Sequence, residues 1–101
     1  MNWSDFSADP LPKPVLRMVI DAQISSVTDC GTTPQGQRSN YVIGGGSFIA
    51  RDPAGKEIHG EVMAGGADYF VERPDGVGVL NAIYSLKTHA GQVFNIHNRG
   101  L

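Results

Sequence analysis

The chain carries a single cysteine, Cys30, among its 101 residues. One thiol cannot close an internal disulfide, and it cannot build a thiolate metal cluster. No neighbour in sequence offers Cys30 the base that a thiol nucleophile needs. Charge is scarce too, at 18% of residues with a formal net of -2. The eight Lys and Arg stand singly along the chain, so there is no basic stripe for a nucleic acid to follow. The three histidines, His59, His89 and His97, are not at helical ligand spacing, and no metal centre is expected. No cofactor motif is present: the loop at 28–37 lacks Walker spacing, and Gly44-Gly45-Gly46 is not a dinucleotide fingerprint. No run approaches the ~20 apolar residues of a membrane span. The start, Met1-Asn2-Trp3-Ser4-Asp5-Phe6, has neither the basic residues nor the apolar run of a signal peptide. A cytoplasmic location is therefore expected.

A helical period of useful length is also missing. What replaces it is glycine, proline and alternation. With Gly 13 and Pro 6, the composition suits short strands and tight turns. Residues 1–14 read as an extended lead-in, since Pro10, Pro12 and Pro14 forbid a helix. From Val15 to Ser26 the pattern has period 2, with Leu16, Met18, Ile20, Ala22 and Ile24 on one face. Residues 28–37 read as a loop punctuated by Gly31, Pro34 and Gly36. A second strand, Tyr41 to Ala50, is interrupted by the glycine triplet, where a strand bends or something packs on bare backbone. The hairpin loop at 51–56 leads to a strand from Glu57 to Met63, with His59 expected to face solvent.

Residues 64–67 then form a corner containing Gly65-Gly66, and Asp68 to Arg73 a strand. Pro74-Asp75-Gly76 is a turn with a mechanism, in which Pro presets φ and Gly accepts a positive one. Val77 to Thr88 should place Leu80, Ala82, Tyr84, Leu86 and Thr88 inside. After a turn at 89–91, Gln92 to Asn98 should turn Phe94, Ile96 and Asn98 inward. Strands joined by hairpins, with no crossover helix, define an all-β chain: an antiparallel up-and-down meander forming a partial β-barrel over residues 15–101.

Several stretches in order resemble one family. They are the Gly-x-x-Pro-x-Gly-x-Arg loop ending at Arg38; Gly45-Gly46-Ser47-Phe48; Gly60-Glu61-Val62 leading to Gly65-Gly66-Ala67-Asp68; Asp75-Gly76 followed by residues 80–86; Thr88 to Gly91; and Ile96-His97-Asn98-Arg99-Gly100. The family is domain of unknown function 3237, also called uncharacterised protein family 0311. The resemblance implies a small microbial protein with a barrel of the allene oxide cyclase and lipocalin type. Tyr69 stands where the family usually has tryptophan, and the hairpin from Ile49 to Ile58 is longer than usual. Family members also continue for several strands beyond the Asn-x-Gly motif. That implies a domain truncated at its C-terminal side, or a wall supplied by another copy, and so a homo-oligomer.

Candidate chemistry rests on the polar residues expected inside or at the mouth: Arg38, Asp68, Tyr84 and Asn98. With Phe48 and Tyr69 as further contacts, they suit a small hydrophobic carbonyl or carboxylate ligand. For catalysis, Asp68 would be the base and Tyr84 or Arg38 the group polarising an oxygen, giving isomerase or cyclase chemistry. The structural alternative is a buried Arg38–Asp68 ion pair and a Tyr84 that only caps the core. A purely structural or oligomeric role is the third reading.

Overall fold

In a computed structural model that describes residue 15 and residues 17–101, the chain is all strand and turn. The strands are β1 (Met18–Thr33), β2 (Gly36–Arg51), β3 (Glu57–Val62), β4 (Ala67–Glu72), β5 (Gly78–Thr88) and β6 (Val93–Gly100). Every pairing is antiparallel. The pairings of β2, β3, β5 and β4 close on themselves, with β1 added to β2 and β6 to β5. The expected lead-in over residues 1–14, and Leu16, lie outside the described residues. Among the described residues no helix is long and apolar enough to cross a membrane.

The register explains how β2 and β5 are each paired with both β3 and β4. β1 runs along one edge of β2, from Met18 opposite Ala50 to Thr33 opposite Gly36. The other edge of β2 meets β4 at one end and β3 at the other. β5 likewise meets both, so β3 and β4 lie end to end in one row between β2 and β5. Against β2, Ser47 faces Glu61 and Val42 faces Ala67. Five steps along β2 thus span six along the row, and the surplus is a bulge at 63–66. The interruption stays bonded on both sides: Ile43 N–H donates to Gly66 O at 2.8 Å, and Met63 N–H to Ser85 O at 2.8 Å. The corner expected at Gly65-Gly66 is therefore a bulge inside a long row.

The expected loop at 28–37 is mostly strand. β1 continues to Thr33, and only Pro34 and Gln35 turn. The Asp29 carboxylate accepts from Gly31 N–H at 2.8 Å and from Gln37 Nε2 at 2.6 Å, which ties the polar end of the hairpin together. β1 and β2 each carry one extra residue, Ser25 and Gly44, on either side of the Ile24–Ile43 pair. Gly46, two residues beyond Gly44 on β2, cannot be replaced cheaply: its φ is +139°, and a Cβ would lie 2.0 Å from Asp21 O.

One face of the sheet holds the core. Phe48, Ile43, Val62, Tyr84 and Leu86 are buried together, with Ile20, Ala22, Ile58, Ala82 and Ile96 packed around them. The inward set expected on β5 is right for Tyr84, Leu86 and Thr88, all buried, while Leu80 is 42% exposed. Opposing residues of antiparallel strands share a face. By that rule Phe94 and Asn98, opposite Leu86 and Ala82, lie on the core face as expected. They are exposed all the same, Phe94 by 50%, because β6 is an edge with no described strand beyond it. Met18 and Ile24 on β1 are exposed for the same reason. The sheet is open: its radius of gyration is 15.9 Å, against about 13 Å for a compact domain of this length.

Candidate functional site

The expected convergence of Arg38, Asp68, Tyr84 and Asn98 does not occur. Arg38 stands opposite Val71, and Asp68 opposite Tyr41 and Ala82, so the two side chains leave the sheet on opposite faces. The Arg38–Asp68 ion pair is thereby excluded. Asp68 has another task. The β4–β5 ladder runs from Asp68–Ala82 to Val71–Val79 and skips the pairs between. Into that gap the Asp68 carboxylate reaches and accepts from Asn81 N–H at 2.8 Å. A backbone donor that the ladder leaves unmatched is satisfied by a side chain.

This gives a direct test. Asp68→Asn keeps an acceptor oxygen and is expected to cost well under 1 kcal/mol in urea unfolding. Asp68→Ala leaves the Asn81 donor unmatched and is expected to cost about 1–3 kcal/mol. Equal, negligible losses in both variants would remove the bond from the account of stability.

Tyr84 is buried, and burial raises its phenol above the ordinary value by desolvating the phenolate. It remains protonated at neutral pH, so it can donate a hydrogen bond but cannot serve as a base. Asp68, Asn98 and Phe48 share the core face with it, and Phe48 is 4% exposed inside the packed cluster. Tyr69 is on the other face, 42% exposed.

That second face carries the constellation that the periodicity did not suggest. A cleft of about 390 Å³ opens beside the bulge, bordered by Met63, Gly65, Gly66, Tyr69, Ile83, Ser85, Asn95 and Tyr84. Its volume falls in the range of small-molecule sites. Ile83 is 46% exposed in its wall. Ser85 Oγ donates to Asn95 Oδ1 at 2.9 Å, which leaves the Asn95 amide nitrogen as a donor. Across β5–β6, Ile83 faces His97 and Asn81 faces Arg99. His97 Nε2 is 2.6 Å from Asn81 Oδ1 and 3.2 Å from Arg99 Nε; it donates to the amide oxygen when it carries the proton and accepts from the guanidinium when it does not. Neither contact engages the two terminal nitrogens of the Arg99 guanidinium, which suit an oxyanion. Gly65 and Gly66 let the bulge form and lie close against β5 beside the cleft. Gly65 has φ +112°, and a Cβ on Gly66 would lie 2.5 Å from Tyr84 Cβ. Among the described residues no group of three or more His, Cys, Asp and Glu gathers to hold a metal.

A single antiparallel sheet of hairpin-linked strands with one packed face is a small barrel-type β protein, and the comparisons place it more narrowly. A family model described as a protein of unknown function, DUF3237, matches residues 10–101, and the chain belongs to that family. Two curated relatives, both UPF0311 proteins from strains of Rhodopseudomonas palustris, are 34% identical over 82 residues, covering 81% of this chain and 50% of theirs. The chain thus spans about half the length of the curated relatives it matches. A crystal structure of a conserved protein of unknown function from Rhodopseudomonas palustris is similar with TM-score 0.73 and 33% identity, covering 87% of this chain and 58% of that one. A crystal structure of a β-barrel-like protein from Acinetobacter baumannii is similar with TM-score 0.71 and 26% identity, over 88% and 57% of the two chains.

Proposed function

We propose that this chain binds a small, partly apolar carboxylate or carbonyl compound in the cleft beside the Gly65-Gly66 bulge. The observation that carries the reading is an exposed apolar wall at Ile83 bordered by Tyr69, Ser85 and Asn95, with His97 and Arg99 next along the same face of the sheet, outside the cleft's own lining. An apolar floor with a few convergent polar groups is the usual composition of a ligand site. In this reading Tyr69 and Ile83 cover the apolar body. Asn95 donates to one oxygen, and Arg99 supplies the opposite charge. Strands rather than loops hold these groups, which lowers the ordering cost of binding. The ligand therefore sits on the face opposite the packed side chains of Phe48, Val62 and Leu86, rather than among them.

Benzoate is a suitable probe, because it joins a ring to a carboxylate. Titrated into the isotope-labelled protein, it is expected to move the amide signals of Gly66, Ile83, Ser85 and Asn95. Arg99→Gln should weaken binding about tenfold, the worth of one charge-assisted hydrogen bond. Shifts confined to core-face residues such as Ala82 and Asn98, or an Arg99→Gln variant that binds as well as the parent, would defeat the reading.

A further inference from the structure

We propose that the chain carries a second ligand site, on the same face of the sheet as the first cleft but at the far end of β4, and that it takes a phosphate monoester with a small apolar body. This site does not rest on the ligand reading above.

Two turns meet there that the first cleft does not use. One is the hairpin turn that leads to Arg38; the other is Pro74-Asp75-Gly76. Gly36 lets them meet. A Cβ on Gly36 would collide with Glu72 O and crowd Arg73 Cα, so the start of β2 lies directly on the end of β4. Between the two turns opens a cleft of about 430 Å³, bordered by Gln35, Arg38, Val71, Arg73, Pro74 and Val79. It lies over β4, which is paired with β2 on one side and β5 on the other. Its floor is therefore set inside the sheet and owes nothing to either edge.

Register builds that floor. Arg38 is opposite Val71, and Val71 is opposite Val79, so the three share one face. Val71 is only 8% exposed although it stands outside the core cluster, so this face has an apolar patch of its own. Along β5, Val79 is about 13 Å from Ile83 at 3.2–3.4 Å per residue, which separates the two clefts.

The rim is cationic. Arg38 is half-buried, and among the described residues its guanidinium has neither an ion pair nor a hydrogen bond. Arg73 Nη2 donates to Asp75 Oδ2 at 2.5 Å, and Asp75 Oδ1 accepts from Val77 N–H at 3.1 Å. Arg73 is thus aimed by one terminal nitrogen, with Nε and the other terminal nitrogen left to donate. Glu72 is opposite Gln37 and Gly78 and leaves on the other face. Two guanidinium groups against the single Asp75 carboxylate favour an anion. One guanidinium fork already satisfies a carboxylate; two, from separate turns, match the three terminal oxygens of a phosphate monoester. The ester group then rests on Val71, Pro74 and Val79.

Phenyl phosphate is the probe, with phenol and inorganic phosphate as its two halves. Titrated into the isotope-labelled chain, it should move the amide signals of Gln35, Arg38, Val71, Arg73 and Val79, and bind more tightly than either half. Arg38→Gln should weaken it about tenfold or more, the worth of a charge-assisted hydrogen bond. Arg38→Lys keeps the charge without the fork and should fall between. Arg73→Gln, in an exposed turn, should weaken it as well; a retained far-ultraviolet strand signal shows that each variant is folded. Benzoate should bind Arg38→Gln as it binds the parent, because Arg38 is outside the first cleft. No shifts at millimolar phenyl phosphate, or shifts confined to Gly66, Ile83, Ser85 and Asn95, would overturn the site. So would phenol binding as tightly as its phosphate, or folded Arg38→Gln and Arg73→Gln variants that bind like the parent. Inorganic phosphate binding as tightly as the ester would overturn the apolar part. A chain that binds phenyl phosphate here and no benzoate overturns the reading of the first cleft and leaves this site standing.

Discussion

Leu86→Ala is expected to destabilise this chain by about 2–5 kcal/mol, the range for truncating a fully buried leucine. Leu86 is the largest fully enclosed side chain among the described residues, at 0% exposure. It sits on β5, on the same face as Val62 opposite it and Tyr84 two residues away. The rest of the core is thin, because both edge strands leave apolar groups in solvent. Neighbours anchored in a hydrogen-bonded sheet cannot close fully over the void, so the cavity term adds to the lost transfer energy. A domain of this size holds a total stability of only about 5–15 kcal/mol. The loss therefore corresponds to a fall in Tm of the order of 10–20 °C or more. Guanidinium titration should show a lower midpoint with the slope unchanged. Phe94→Ala makes the contrast: half-exposed, it should cost well under half as much. A Leu86→Ala loss below about 1 kcal/mol would mean that the core is not centred where the packing places it.

Gly66→Ala is expected to be nearly as damaging, for a different reason. The added methyl would lie 2.5 Å from both Ile83 O and Tyr84 Cβ. Neither can yield: one is backbone in a paired strand, and the other is the root of a buried side chain. Ile43 N–H also donates to Gly66 O, so the bulge cannot swing away without breaking its own bond to β2. Overpacking of this kind costs about 1–3 kcal/mol, and more where backbone must move. Gly76→Asn is the control. Gly76 has φ +86° in an open turn, with nothing within 4 Å of a built Cβ. Asparagine tolerates the left-handed region, so the cost should stay below about 1 kcal/mol. A Gly66→Ala loss no larger than that at Gly76 would show that close packing against β5 does not fix Gly66.

These two predictions mark what the sequence made legible. The inward set on β5, with Leu86 at its centre, follows from alternation alone, because a two-residue period needs no knowledge of neighbours. The glycine pair was visible as a place where the chain must do something unusual. Its form was not visible: a corner and an in-row bulge have the same composition, and only pairing with β2 and β5 separates them. The stretch at 28–37 failed for a related reason. Its Gly, Pro and Thr residues signal a loop, yet a long partner strand overrides weak local propensity.

The candidate site was legible as residue types and not as a place. Arg38 and Asp68 lie in strands that alternate cleanly, but whether two residues on different strands share a face depends on register. The extra residues at Ser25 and Gly44 change that register inside the β1–β2 hairpin. Ser85, Asn95 and His97 fall outside the inward sets that alternation gives, and Arg99 lies beyond the last strand expected, which ends at Asn98. The signal that could have recovered them is Ile83, a large apolar residue within that otherwise polar set.

The glycine triplet also acts as a rule about length. Before it, the core face of β2 takes the odd-numbered residues Gln37, Ser39, Tyr41 and Ile43; after it, the even-numbered Phe48 and Ala50. The triplet inverts the parity of the code. Loss of one residue there would not shorten a strand locally. It would exchange Tyr41 and Ser39 for Val42, Asn40 and Arg38 on the packed side, along the whole far half of the hairpin. In this stretch a deletion rewrites more of the molecule than most substitutions can, and Ser25 on β1 would have to be lost with it for the two strands to stay in step.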